Sequence, residues 1–330
     1  MNVPLSVLDL ARVAPGESAS EGIARSVRLA QTADKGGYAR VWFAEHHNAR
    51  GIASSATALM IQHVAAHTSR IRVGAGGIML PNHSPLVIAE QFGTLEALYP
   101  GRIDLGLGRA PGTDQATMRA LRRDGREADR FPADVVELHG FLSDRSPIPG
   151  IHAYPGEGTE VPLYILGSSL FGARLAAQLG LPYAFASHFA PAMLHQAAQA
   201  YRHDFDPSGP LAGPEAKPWF VAGVNVLAAD DADTASDQRR KFENGWLQGA
   251  LGRDRTFSED ELEMVRRHPQ GQQVLSMLEH SVVGTRDQVV IGLDTFAADV
   301  RADELIVVNM AFDEDQQHRT LELLAPTGTA

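Results

Sequence analysis

Four polar residues, Glu45-His46-His47-Asn48, follow directly on the strand-like run Arg40–Ala44. A carboxylate beside imidazoles can move protons or bind a metal ion. His46 and His47 are neighbours, so on an extended chain end only one of them faces a given side. His83 follows Leu80-Pro81-Asn82. Glu45, one of the adjacent histidines, and His83 or His188 would supply the three converging ligands that a metal site needs. A second chemistry lies further along. Arg109 directly follows the run Arg102–Gly108, and Ser168-Ser169 stand immediately before a helical pattern. Hydroxyls and free amides at a helix start, with a guanidinium nearby, form an anion site suited to phosphate. The alternative task for such serines is to cap the helix and nothing more.

These residues need a scaffold that brings distant segments together. The chain alternates short apolar runs with longer helical patterns. The strand-like runs are Pro4–Leu10, Arg40–Ala44, Arg70–Gly76, Arg102–Gly108, Leu163–Leu166, Tyr183–Ala186, Trp219–Ala228 and Leu305–Asn309. Between them lie helical patterns such as Ser20–Gly36, with Ser20 as its N-cap, and Ser55–His67, capped by Ser54 or Ser55. Eight strands alternating with helices predict parallel pairing and a closed (β/α)8 TIM barrel, α/β in class. Every candidate residue above then sits after the C-terminal end of a strand, where barrels carry their chemistry. Period two sets Ile71, Val73 and Ala75 on one face and Arg72 on the other. Asp104 takes the matching inward place on the next strand, and the two charges are expected to pair, because an unpaired interior charge is costly.

One segment breaks the rhythm. Residues 230–281 separate strand seven from its helix by far more than the usual loop. The segment is charged and polar and is read as a partly helical insertion or lid within a single domain spanning 1–330.

Composition narrows the function. The chain has 330 residues, 44% of them hydrophobic, enough for a large core. A net charge of −11 argues against binding nucleic acid or an anionic membrane. There is no cysteine, which removes disulfides, thiolate nucleophiles and Cys-based metal sites. No run approaches the length of a membrane span, and the start of the chain lacks a signal-peptide pattern, so a cytoplasmic protein is expected. The glycine-rich segments Gly74–Gly77 and Gly106–Gly108 lack the following helix or the third glycine of a dinucleotide fingerprint. Leu170 stands where a nucleophile elbow needs glycine.

Several segments in order resemble the luciferase-like monooxygenase family. They are Ala44-Glu45-His46-His47-Asn48, the stretch from Val73 to His83, the stretch from Tyr99 to Arg109, and Ile165-Leu166-Gly167-Ser168-Ser169. The resemblance implies FMN across the barrel mouth and a non-proline cis peptide at Gly76-Gly77. It implies a phosphate clamp of Arg109 with Ser168 and Ser169, completed by Leu170 and Gly172 at the helix start. His46 matches the histidine placed beside the reacting flavin, and His83 joins it as the second catalytic candidate. Reduced FMN would come from a separate reductase, and dioxygen would be the oxidant for a small carbonyl or other organic substrate. A homodimer is also expected, because Ala56–Val64 is apolar nearly all round. The resemblance leaves three alternatives: a deazaflavin- or flavin-linked dehydrogenase, a flavin-storage protein, and a metal-dependent hydrolase built on Glu45 and the histidines. Luciferases carry a reactive cysteine near the flavin, and its absence here argues against light emission.

Overall fold

The computed structural model describes residues 1–326 apart from 15, 111–112, 125 and 253–254. Its chain runs β1 (Leu5–Asp9), α1 (Ala19–Gly36), β2 (Arg40–Phe43), α2 (Thr57–Ala66), β3 (Arg72–Met79), α3 (Pro85–Leu98) and β4 (Ile103–Gly108). It continues through α4 (Gln115–Ala120), α5 (Glu127–Leu142), β5 (Leu163–Gly167), α6 (Leu170–Leu179), β6 (Tyr183–Phe185), α7 (Leu194–Asp204) and β7 (Phe220–Ala229). The last elements are α8 (Ala232–Leu251), α9 (Glu259–Arg267), α10 (Pro269–Ser276), β8 (Ser281–Thr285), α11 (Arg286–Val300), β9 (Glu304–Asn309) and α12 (Glu314–Leu323).

Eight of these strands close a parallel ring in the order β1-β2-β3-β4-β5-β6-β7-β9 and back to β1. The fold is a (β/α)8 barrel. The alternation read from sequence sorts its faces. Val73, Ala75, Ile103, Leu105 and Leu107 point outward into one core shared with the helices. Leu8, Trp42, Tyr164, Ala184, Val221, Ile306 and Val308 fill the inside of the ring.

The expected pairing of Arg72 with Asp104 is present, at 2.6 Å. It belongs to a larger network at the N-terminal ends of the strands. Arg40 reaches both Asp104 and Glu304 at 2.8 Å. The indole nitrogens of Trp42 and Trp219 donate to Asp104 and Glu304 respectively, each at 3.1 Å. Arg40 also donates to the Tyr164 hydroxyl.

Two sequence expectations are corrected locally. Helix α1 is capped by Ser18, not Ser20, because Ser18 has Glu21 three residues on and the two form a reciprocal capping box. Neither Ser54 nor Ser55 caps α2; both hydroxyls bond the chain after β2 instead.

The segment 230–281 holds α8, α9 and α10 and leads into a ninth strand, which the sequence reading did not foresee. β6 has only three residues, so the upper half of β7 would otherwise be left with an open edge. β8 pairs there, Asn225 to Ala229 against Ser281 to Thr285. Helix α8 is anchored through Phe242 in a small separate core with Leu227, Leu278 and Met310. Helix α9 buries none of its residues. Among the described residues, no helix is long and apolar enough to cross a membrane.

Candidate active site

At the C-terminal ends of the strands the ring opens into a cavity of about 550 Å³, within the roughly 300–1,000 Å³ typical of ligand pockets. His46, Gly76, Gly77, Arg109, Ser168, Ser169 and Gly172 all line it. Residues 111–112, which follow Arg109 and Ala110, lie outside the described residues.

One side of the rim is built from two strand ends. β4 and β5 are neighbours, so Arg109 and the start of α6 share one part of the rim. Arg109 meets no acid among the described residues, and its guanidinium lies 4.2 Å over the Phe171 ring. Ser169 occupies the N-cap position of α6, yet no side chain caps that helix. The capping alternative is therefore not what the geometry shows, and the first amides of α6 remain available at the rim. Gly167 and Gly172 let the helix start close against the end of β5; a methyl on Gly172 would come 3.2 Å from the Tyr183 ring. Leu170 packs against the outer core rather than lining the cavity.

The floor next to this rim lacks side chains. The Gly76–Gly77 peptide is cis. A methyl on Gly76 would meet Trp42 Cβ at 2.9 Å, and one on Gly77 would meet the Gly106 carbonyl at 2.5 Å. Close packing of β2, β3 and β4 therefore requires glycine at both positions, and it leaves bare backbone at the cavity wall.

The histidine cluster divides in two. The His46 carbonyl accepts a hydrogen bond from Ser55 Oγ, 2.8 Å, which fixes the loop after β2. The His46 ring lines the cavity, and its Nδ1 is buried without a partner. Burial holds its pKa below the ordinary histidine value, only partly opposed by nearby Glu45. The ring is therefore neutral at pH 7 and able to accept a proton. Glu45, His47 and His83 turn the other way. Glu45 Oε1 lies 2.7 Å from His47 Nε2 and 2.9 Å from His83 Nε2. The Met79 amide donates to the second carboxylate oxygen at 3.1 Å. Burial would raise the Glu45 pKa, but the hydrogen bonds from His83, His47 and Met79 outweigh it and leave the group below its usual value. The ligand atoms of Glu45, His47 and His83 lie within 4.8 Å of one another, the spacing of a possible metal set. None of the three lines the main cavity, and His188 stands apart from them on the cavity wall. In this arrangement Glu45 ties the loop after β2 to the segment after β3.

Sequence reading missed much of the rest of the wall: Arg12, Phe131, Phe242, Trp246 and Met277. The available signal was Phe242 and Trp246, two aromatics four residues apart on α8, a helix rich in charged and polar residues.

The mouth of the barrel thus gathers an arginine without an ion pair, an uncapped helix start, a glycine floor and a buried neutral histidine. The chain belongs to the luciferase-like monooxygenase family, whose pattern it matches over residues 3–303. A luciferase-like monooxygenase of Escherichia coli K12 is 48% identical over 333 residues, covering 97% of this chain and 96% of that protein. The N-acetyl-S-alkylcysteine monooxygenase of Bacillus subtilis is 40% identical over 191 residues, 56% of this chain and 57% of that protein. Among solved structures, apo-MsnO8 superposes with a TM-score of 0.83 at 32% identity, covering 98% of this chain and 97% of that one. The oxygenating constituent of 3,6-diketocamphane monooxygenase from Pseudomonas putida, solved with FMN, shares the fold at 17% identity. Its TM-score is 0.74, over 99% of this chain and 98% of that one. The protein is a flavin-dependent oxidoreductase.

Proposed function

We propose that this enzyme is an FMN-dependent monooxygenase acting on a small carbonyl or other organic substrate, with reduced FMN delivered by a separate reductase. The observation that carries this reading is the convergence of Arg109, the uncapped start of α6, the Gly76-Gly77 floor and the unpartnered His46 ring on one cavity. The residues fit a phosphorylated flavin. Arg109, the first α6 amides and the hydroxyls of Ser168 and Ser169 would hold the phosphate, and the glycine floor would leave room for a flat ring. When bound, the flavin supplies the electrons that activate dioxygen.

The chain's own residues do the rest. His46 Nδ1 takes up a proton during turnover and returns it, a role suited to a buried neutral imidazole. Glu45, held by His47 and His83, positions the loop that carries His46, so His83 acts through Glu45 and not on substrate. Phe131, Phe189, Phe242, Trp246 and Met277 give the cavity an apolar wall that keeps water from the reaction. Two of these belong to α8 and one follows α10, so the segment 230–281 serves as the cover of the site.

The test is a coupled assay with an NADH-driven flavin reductase, an aldehyde panel and isotopically labelled dioxygen. Label in the product is expected. Hydride transfer to or from a deazaflavin with no label incorporated would replace this reading with the dehydrogenase one. A protein that binds no flavin but hydrolyses substrate with added metal would favour the Glu45 cluster.

We also propose a homodimer formed through α2 and α3, which expose Leu59, Val87 and Leu98 on the outside of the barrel. Sedimentation at micromolar concentration should show a dimer; a monomer there would refute it.

A further inference from the structure

Arginines that are partly or largely buried in this protein are occupied. Arg25 pairs with Glu17, Arg72 with Asp104 and Arg202 with Asp303. Arg102 bonds the carbonyls of Ala65, Thr68 and Ile71. One cavity-lining arginine breaks the pattern. Arg109 is exposed and falls outside the comparison; Arg12, three strands round the ring from it and directly after β1, is partly buried.

The backbone at Arg12 is held firmly. It forms an antiparallel bridge with Ile52, and its carbonyl accepts from the Arg25 guanidinium. The side chain of Arg12 has neither a hydrogen bond nor an ion pair among the described residues. Its one recorded contact is with the Phe242 ring of α8, 5.0 Å away. The neighbouring carboxylate of Asp9 accepts from the Ala11 amide at 2.7 Å and does not close on the guanidinium. Burial pulls the Arg12 pKa below its ordinary value. The Asp9 carboxylate is near enough to oppose that shift but makes no hydrogen bond to the guanidinium, so the Arg12 donors are left unfilled, which is costly for a partly buried cation unless something else completes them.

The surroundings of Arg12 differ from those of Arg109. His188 is buried in the same wall, and its Nδ1 has no partner. Gly223 makes room for that ring, since a methyl there would lie 2.5 Å from Nδ1. The His188 carbonyl is fixed by the Asn225 amide at 2.6 Å. Burial pushes the His188 pKa down to about 4, so this imidazole is neutral at pH 7 and brings no second positive charge. Leu10, Ile52, Trp246 and Met277 make the remaining surface apolar.

We propose that Arg12 recognises a carboxylate on the substrate, and that this enzyme acts on apolar molecules carrying one such group. One planar guanidinium beside a neutral imidazole matches a planar monoanion, which a guanidinium binds through two parallel hydrogen bonds. The phosphate of a flavin has its own set at Arg109 and α6 on the opposite part of the rim. The proposal rests on the flavin reading for the meaning of the word substrate, but its test separates the two.

The probes are 4-phenylbutyrate and its uncharged amide, of the same shape, titrated calorimetrically into the protein with and without FMN. The wild-type protein should bind the acid about tenfold or more tightly than the amide, as a charge-assisted pair predicts. Arg12→Met should erase that preference, keep the amide affinity, and leave FMN affinity unchanged. Arg12→Lys should restore part of the preference; Arg12→Gln replaces the methionine variant if that one does not fold. Wild-type protein that binds the acid no better than the amide, or binds neither, overturns the proposal. So does a preference that survives in Arg12→Met, or a loss of FMN affinity in Arg12→Met comparable with that in Arg109→Gln. Failure of FMN to bind wild-type protein while the Arg12-dependent preference persists would sink the flavin reading and leave the carboxylate site standing.

Discussion

The two ends of this barrel treat charge in opposite ways. At the N-terminal end Arg40, Arg72, Asp104 and Glu304 form a closed network to which two tryptophans and a tyrosine contribute. The two carboxylates there are fully buried, and each has several donors. At the C-terminal end Arg12 and Arg109 form no ion pair among the described residues, and Nδ1 of His46 and Nδ1 of His188 are buried without partners. A polar group buried without a partner costs about 1–3 kcal/mol. The first end therefore satisfies its buried charges internally, and the second leaves polar groups without a protein partner, which is the ground for proposing the site there.

The contrast can be broken most severely from the closed end. Asp104→Ala should remove the partner of two guanidinium groups and lower unfolding stability by about 3–5 kcal/mol, as for any broken buried pair. Urea unfolding measures it; a loss below about 1 kcal/mol, the level of an exposed surface pair, would mean the network is not structural.

At the open end, His188 should make stability depend on pH. Its folded pKa of about 4 lies below the ordinary 6.5. Between these values the unfolded chain binds a proton that the folded chain refuses, so stability is full above pH 6.5 and falls as pH drops towards 4. The loss approaches ~3 kcal/mol at the acid end of that window. His188→Gln should flatten the profile relative to wild type, and two superimposable profiles would show the ring to be solvated.

Smaller effects separate ligand groups from structural ones. Arg109→Gln should weaken FMN binding by about 1.5–3 kcal/mol, roughly ten- to hundredfold, with no loss of unfolding stability in the flavin-free protein. Ser168→Ala should weaken it by about 0.5–1.5 kcal/mol, two- to tenfold, again with unfolding unchanged. Flavin fluorescence titration follows both. A drop in stability instead would return Arg109 or Ser168 to a structural task.

Local rules reached far in this chain. The eightfold alternation of apolar runs and helices, the outward face of Val73 and Leu105, and the inward pairing of Arg72 with Asp104 all follow from period and the cost of an unpaired charge. The motifs around His46, Arg109 and Ser168-Ser169 were visible because each follows a strand end within a few residues, whereas Gly76-Gly77 lies inside β3 and stood out by its glycines. Tertiary structure alone decided what depends on closure of the ring. Only the closed barrel brings Glu304, at the far end of the chain, against Arg40. Only the exposed upper edge of β7 explains why Ser281–Thr285 becomes a strand. The split of Glu45, His47 and His83 from His46 depends on side-chain directions that spacing leaves open. Arg12 carried no signal in sequence, because a lone arginine after a strand looks like any other. Its interest lies in hydrogen bonds that are absent although a carboxylate is near, and an absent bond can be read only when every neighbour is in place.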